Sequence, residues 1–255
     1  WYVSPALFTR HAHREPTHGW WLNGVPDAQA IMDDEIRVAA EHGLSYWAFV
    51  WYPAGDPGVG AIGESLGRYL ASPLRGRIDF ALILQHGYLF HESGARVGEP
   101  AWFDAATFRS YFAQPTHLVV DGDRPVVFLF EGHGAGQQYT PSQLEMLTQA
   151  AHAAGRATPV YVQTTNLRST RLDAISTYFP FFASAAGSGR LCWDTLAPLE
   201  RRTNLTDTGP LVVAGLSPMA DPRPRMEDTL LDGGPRLDIY PFWVEAPTRS
   251  QWRAH

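Results

Sequence analysis

Lysine is absent. All 20 basic residues are arginines, so no side-chain amine is available for Schiff-base chemistry and no lysine-dependent phosphate loop can be built. A GC-rich genome is the plain explanation of that bias. Cysteine occurs once, at Cys192, which excludes an internal disulfide framework and a cysteine-rich zinc site. No stretch approaches the roughly 18 consecutive apolar residues of a membrane span, so no spanning segment is expected. No signal peptide is visible either. The chain opens on Trp1 rather than Met and reads as a trimmed chain, for which secreted or periplasmic placement is the favoured expectation. The net charge of −6 argues against nucleic acid as a partner, whose footprint is a basic face. Neither a P-loop nor an H-E-x-x-H pattern occurs, and no cofactor is implied.

What is present in excess is aromatic. Nine Trp, ten Tyr and thirteen Phe bring aromatics to 13%, which is either a rich aromatic core or a set of platforms for the C–H faces of sugar rings. Position along the chain decides between the two. A chain of 255 residues with 45% hydrophobic content suits one large α/β domain, and no second domain, fixed-period repeat or low-complexity tract is evident.

Short β-like runs alternate with helical stretches. Strands are expected over 2–8, 45–52, 78–85, 125–131, 159–165, 172–179 and 210–216. Between them the apolar spacing predicts helices from Asp27 to about His42, over 64–72, over 104–113 behind Asp104, and over 141–155. A mixed segment near 191–202 and the stretch 247–255 also read as helical. Strands that are apolar throughout belong to parallel sheets covered on both faces. Seven such units suit a TIM-type (β/α)₈ barrel, with a doubly wound open sheet as the rival. The eighth strand is not evident; either the chain stops short of it or a less regular segment supplies it.

In a barrel, chemistry gathers at the carboxyl ends of the strands. His11, His13, His18, Trp20 and Trp21 follow the first expected strand, and Trp51 and Tyr52 end the second. Gln85, His86 and Tyr88 follow the third, Glu131 and His133 the fourth, and Gln163, Thr165 and Asn166 the fifth. Tyr178 closes the sixth, and Asp221 lies in the loop after the seventh. Amides, rings, histidines and a few carboxylates suit a polyhydroxylated ligand, so Trp51, Tyr52, Gln85, His86, Asn166, Tyr178, His11 and Trp20 are the candidate sugar contacts. Each has a plainer reading. Trp51 and Tyr52 could simply plug the barrel top. Glu131, directly after "VVFLF", would be costly if buried alone and could be held by an Arg ion pair rather than serve in catalysis. Asp221 can pair with Arg223 or Arg225, and Glu245 is a weaker carboxylate of the same kind.

Three stretches resemble the family 99-like glycoside hydrolases, also labelled WbsX-like: "MDDEIRVAAEHGLSYWAFVWYP", "YFAQPTHLVVDGDRPVVFLFEG" and "VVAGLSPMADPRPR". The resemblance implies a (β/α)₈ barrel and endo-acting, retaining cleavage of α-linked glycans, mannan-like in the founding members. It also implies two close glutamates in a late loop, one acting on the sugar's own 2-hydroxyl and one protonating the leaving oxygen. Related chains carry an N-E-W-x-E-W-type motif after the last strand. This sequence has no such motif, and Gln85 stands where the founding members end the third strand in Glu. The catalytic pair therefore transfers to no residue here.

Three functions follow as expectations. The first is a glycoside hydrolase on a poly- or oligosaccharide, with Glu131 and Asp221 as the carboxyl pair and Glu245 in reserve. The second is a non-catalytic carbohydrate-binding or glycan-assembly barrel. The third is a metal-dependent hydrolase using His11, His13 and an acid, although no third ligand sits at a predictable distance.

Overall fold

The computed structural model describes residues 27–53, 63–90, 103–131, 138–164, 172–176, 189–191, 211–213 and 242–244. The expected strand over 2–8 and helix over 247–255 lie outside them. In chain order the first elements are α1 (Ala28–Glu41), β1 (Tyr46–Val50), α2 (Glu64–Ala71), a 3₁₀ turn (Arg75–Arg77), β2 (Asp79–Gln85), a single helical turn α3 (His86–Leu89) and α4 (Ala105–Phe112). Then come β3 (Val119–Val120), β4 (Arg124–Phe130), α5 (Pro141–Ala153), β5 (Val160–Gln163), β6 (Ala174–Ser176), β7 (Gly189–Leu191), β8 (Leu211–Val213) and β9 (Phe242–Val244). Among the described residues no helix is long and apolar enough to cross a membrane.

The chain divides into two compact units. One, Pro26–Tyr178 with Gly209–Val213, holds a sheet in the order β1-β2-β4-β5-β6-β8, all parallel, with β3 antiparallel on β4. In the other, the described residues are β7 and β9, which pair in parallel.

The main sheet is buried on two faces by different partners. Phe80, Leu82 and Leu84 of β2, Val127 and Leu129 of β4 and Tyr161 of β5 share one cluster with residues of α1, α2, α4 and α5. The alternate residues Ala81, Ile83, Val126, Phe128, Val160, Val162 and Ala174 form a second cluster that contains no residue of a described helix. Alternation along each strand produces this split. Among the described residues the helices that pack on the sheet do so on one face and the parallel strands follow chain order, a mixed α/β arrangement compatible with a TIM-type fold. Among the described residues no pairing joins β1 to β8.

Packing rather than capping holds α1. Asp27, expected to cap it, has φ 65° and makes no side-chain cap bond. Met32, Ile36 and Ala39 are buried at helical spacing. Burying the first two is worth roughly 1.5–3 kcal/mol each, more than the ~1 kcal/mol of an average cap. Asp104 does cap α4, accepting from Thr107 N at 3.0 Å.

A segment is spliced between the amino ends of β2 and β4. Phe80 N donates to Thr116 O at 2.8 Å, Leu118 N to Phe80 O at 2.7 Å, and Val126 N to Leu118 O at 2.9 Å. Direct β2–β4 pairing therefore begins only at Leu82 and Val127. Beyond the splice, β3 folds back on β4 through Asp121 and Gly122, both at positive φ. Arg156 fixes this corner. Its guanidinium donates to Phe112 O at 3.0 Å and Gln114 O at 3.1 Å, and pairs with Asp123.

Gly43 ends α1 at φ 82°, with nothing within 4 Å of an added Cβ, whereas Gly67 lies inside α2 with equally open space. Gly43→Ala should therefore cost about 1–2 kcal/mol through backbone strain alone, and Gly67→Ala should add roughly 0.5–1 kcal/mol of stability. Urea melts of the two variants against wild type read both; shifts of the same sign would refute the argument.

Candidate functional site

The last register row of the sheet sets the geometry. Gln85 pairs with Phe130 across β2 and β4, and Trp51 N donates to Ile83 O at 2.9 Å, which carries β1's pairing past Val50. From this row, successive residues point to opposite faces.

On the face with no described helix lie Tyr52, Gln85 and Phe130, each partly exposed, on three neighbouring strands or their continuation. An amide thus stands between two rings at the carboxyl edge. Rings offer flat apolar faces, and the amide both donates and accepts.

On the helix face, one residue along, lie Trp51, His86 and Glu131. Trp51 is only 4% exposed and packs against Phe108 of α4, ring centroids 5.2 Å apart. Of the two readings of Trp51, mouth residue or plug, its position fits the plug: the indole is part of the core beneath the helices, one residue out of phase with Tyr52.

Glu131 is also 4% exposed. Its Oε1 accepts from Tyr139 N at 2.9 Å and its Oε2 from Gln163 Nε2 at 2.8 Å. Both partners are neutral donors, and among the described residues no arginine pairs with it. The carboxylate ties the end of β4 to the end of β5 and to the approach of α5. It is thus a buried brace with both oxygens engaged. Thr164 adds a second tie between the same strands, its hydroxyl donating to Leu129 O at 3.0 Å.

His86 is buried beside this brace. Its Nε2 is 3.2 Å from Gln143 Oε1, and the same oxygen accepts from Thr140 N at 2.8 Å. That oxygen is an acceptor only, so the proton of the contact rides on His86 Nε2. Gln143 is the third residue of a capping box with Thr140, which fixes its amide. Tyr139 stands edge-on to His86, centroids 5.1 Å apart, and donates its hydroxyl to Leu84 O at 2.9 Å. Burial, and then the Glu131 charge, hold its phenol far above the usual range, so it stays a donor.

The site as found is therefore a polar frame behind a partly open row. The row can contact a ligand, and the frame holds the row's backbone in place. His11, Trp20, Asn166, Tyr178, Asp221 and Glu245 lie outside the described residues. Among the described residues no three His, Cys, Asp or Glu side chains form a metal-ligand set.

Sequence reasoning missed Tyr139 and Gln143. The T-P-S-Q spelling at Thr140–Gln143 was the available signal for the second. Two further spellings were passed over: "GVGAIG" over 58–63 fits G-x-G-x-x-G, and "GESLG" over 63–67 fits G-x-S-x-G. Neither finds its structural context. Ser65 lies inside α2, many residues past the end of β1, not on a tight strand-to-helix turn. An acidic Glu64 opens α2 where a pyrophosphate would have to sit, and among the described residues the strand order shows no reversal.

Glu131→Ala strands one backbone N–H and one amide, at about 1–3 kcal/mol each, so a urea melt should show a loss of roughly 2–6 kcal/mol. Glu131→Gln keeps the Tyr139 bond and lets Gln163 rotate to accept, so its loss should be under about 1.5 kcal/mol. Equal losses for the two would refute the brace. No family model, curated protein or solved structure matches this chain.

Proposed function

We propose that this chain is a (β/α)₈-barrel protein that takes a poly- or oligosaccharide at the carboxyl ends of its strands and cleaves α-linked glycans there, as a glycoside hydrolase of the family 99-like kind. The observation that carries the reading is the Tyr52–Gln85–Phe130 row. It crosses three neighbouring strands, a span of about 10 Å, wide enough for a sugar ring. It sits at the edge where barrel enzymes bind, on the face free of described helices. One-sided helices and chain-order strands support the barrel, and the three resembling stretches support the substrate class.

In this reading Tyr52 and Phe130 offer faces to the apolar side of the sugar, and Gln85 bonds a hydroxyl. Glu131 and His86 act behind them, holding β2, β4, β5 and α5 together. The acid and the nucleophile or base needed to break a glycosidic bond then come from carboxylates other than Glu131.

A second reading, glycan binding without turnover, is favoured by one observation: Glu131, the carboxylate nearest the row in sequence, faces the helices with both oxygens engaged. Binding by calorimetry and release of reducing ends, measured over a panel of α- and β-linked polysaccharides, separate the two. Binding with release supports the hydrolase; binding without release supports the second reading. Tyr52→Ala and Gln85→Ala should each weaken binding at least about tenfold, a loss of 1.4 kcal/mol, with an unchanged melting temperature. Failure of every glycan to bind would sink both readings.

A further inference from the structure

His117 lies in the segment spliced between the amino ends of β2 and β4, at the opposite edge of the sheet from the row above. It forms an isolated parallel bridge with Phe80 and is 1% exposed. Its Nδ1 is 3.1 Å from Leu118 O, a carbonyl that also accepts from Val126 N. A carbonyl only accepts, so the ring proton is on Nδ1 and the lone pair is on Nε2. Nε2 is buried with no hydrogen-bond partner among the described residues. Two phenyl rings flank the imidazole, Phe80 at 4.9 Å and Phe112 at 5.3 Å between centroids.

We propose that His117 is an acid-operated latch, whose protonation releases residues 116–118 from between β2 and β4 while the β4–β5 ladder stays paired. A second ring proton would create a buried N–H bond between two phenyl rings, with no acceptor among the described residues, together with a buried charge. The segment is the element able to yield. Only three backbone bonds, at Phe80, Leu118 and Val126, hold it into the sheet, while β2 and β4 remain joined above it from Leu82 to Gln85.

The surroundings offer no compensation. Arg156 faces the ring with a like charge and is itself occupied by Asp123 and two carbonyls. On the Phe80 side stand Tyr69 of α2, whose hydroxyl donates to Ile78 O at 2.7 Å, and Asp79 at the start of β2. Arg109 is the charged residue of α4 and lies one turn before Phe112. Burial is the main cause, and the Arg156 charge a lesser one, of an imidazole pushed down to about 4 from the ordinary 6.5. The fold thus favours neutral His117. Its stabilising contribution is complete above pH 6.5 and is lost as pH falls from there toward 4.

Hydrogen exchange on the whole chain tests the latch, with rates corrected for the intrinsic effect of pH. In wild type the opening of the Phe80, Leu118 and Val126 amides should rise about 50-fold between pH 7 and pH 4.5, as linkage over those two pKa values requires, while the Thr164 amide, which donates to Leu129 O across the β4–β5 ladder, holds its protection. In His117→Gln, which keeps a donor for Leu118 O and carries no charge, the rise should shrink to less than about threefold. The imidazole C–H shifts of wild type give a second reading that needs no variant: they should titrate near 4, together with those three amides. A rise that persists in His117→Gln, a loss of protection shared equally by Thr164, or a ring that titrates at 6.5 with the amides still protected would overturn the proposal.

Discussion

Everything described here leans on the parallel ladder between β2 and β4. Both strands are apolar on both sides, so their register sorts each neighbour into one of two cores. Above the ladder it aligns Gln85 with Phe130 and sends Glu131 to the helix side. Below it the ladder stops at Leu82 and Val127, which leaves the gap that Thr116–Leu118 fills. The candidate row and the proposed latch are the two ends of one pairing.

Polar residues collect at the helix side of the carboxyl edge for a related reason. A strand that ends beneath a helix start leaves backbone groups that water cannot reach, and each needs a partner. Tyr139 N, Thr140 N and Leu84 O are such groups, and Glu131, Gln143 and the Tyr139 hydroxyl supply the partners. Gln163 and His86 then orient those partners. A network of this kind, with each partner itself held, fixes the ends of β2, β4 and β5 relative to the start of α5.

Most of the described fold was legible in the sequence. The continuous apolar runs of β2 and β4 and the periodic faces of α1 and α5 fall where pattern alone put them, within a residue or two. Phase along the strands is less legible: neighbours on a strand face opposite ways, so Trp51 and Tyr52 go to different sides of the sheet. Counting by twos from Val50 would have separated the pair. The β3–β4 hairpin was also missed, although Asp121-Gly122 between apolar runs is a turn signal. Asp27 misled for another reason. Its residue type suits a cap, but the left-handed backbone there leaves its side chain without a cap bond. The splice at His117 had no local signal, because it depends on where two distant strands diverge.

The corner held by Arg156 has a chemical consequence. One planar guanidinium grips two carbonyls and a carboxylate at once, a geometry that the single ammonium of a lysine could not reproduce. Guanidinium keeps its proton in strong base, and it is not a substrate for the acyl transfers that silence amines. With no lysine anywhere in these 255 residues, the Arg156 clamp is indifferent to alkali and to acetylating reagents alike, and titration of its acidic partner is what can loosen it.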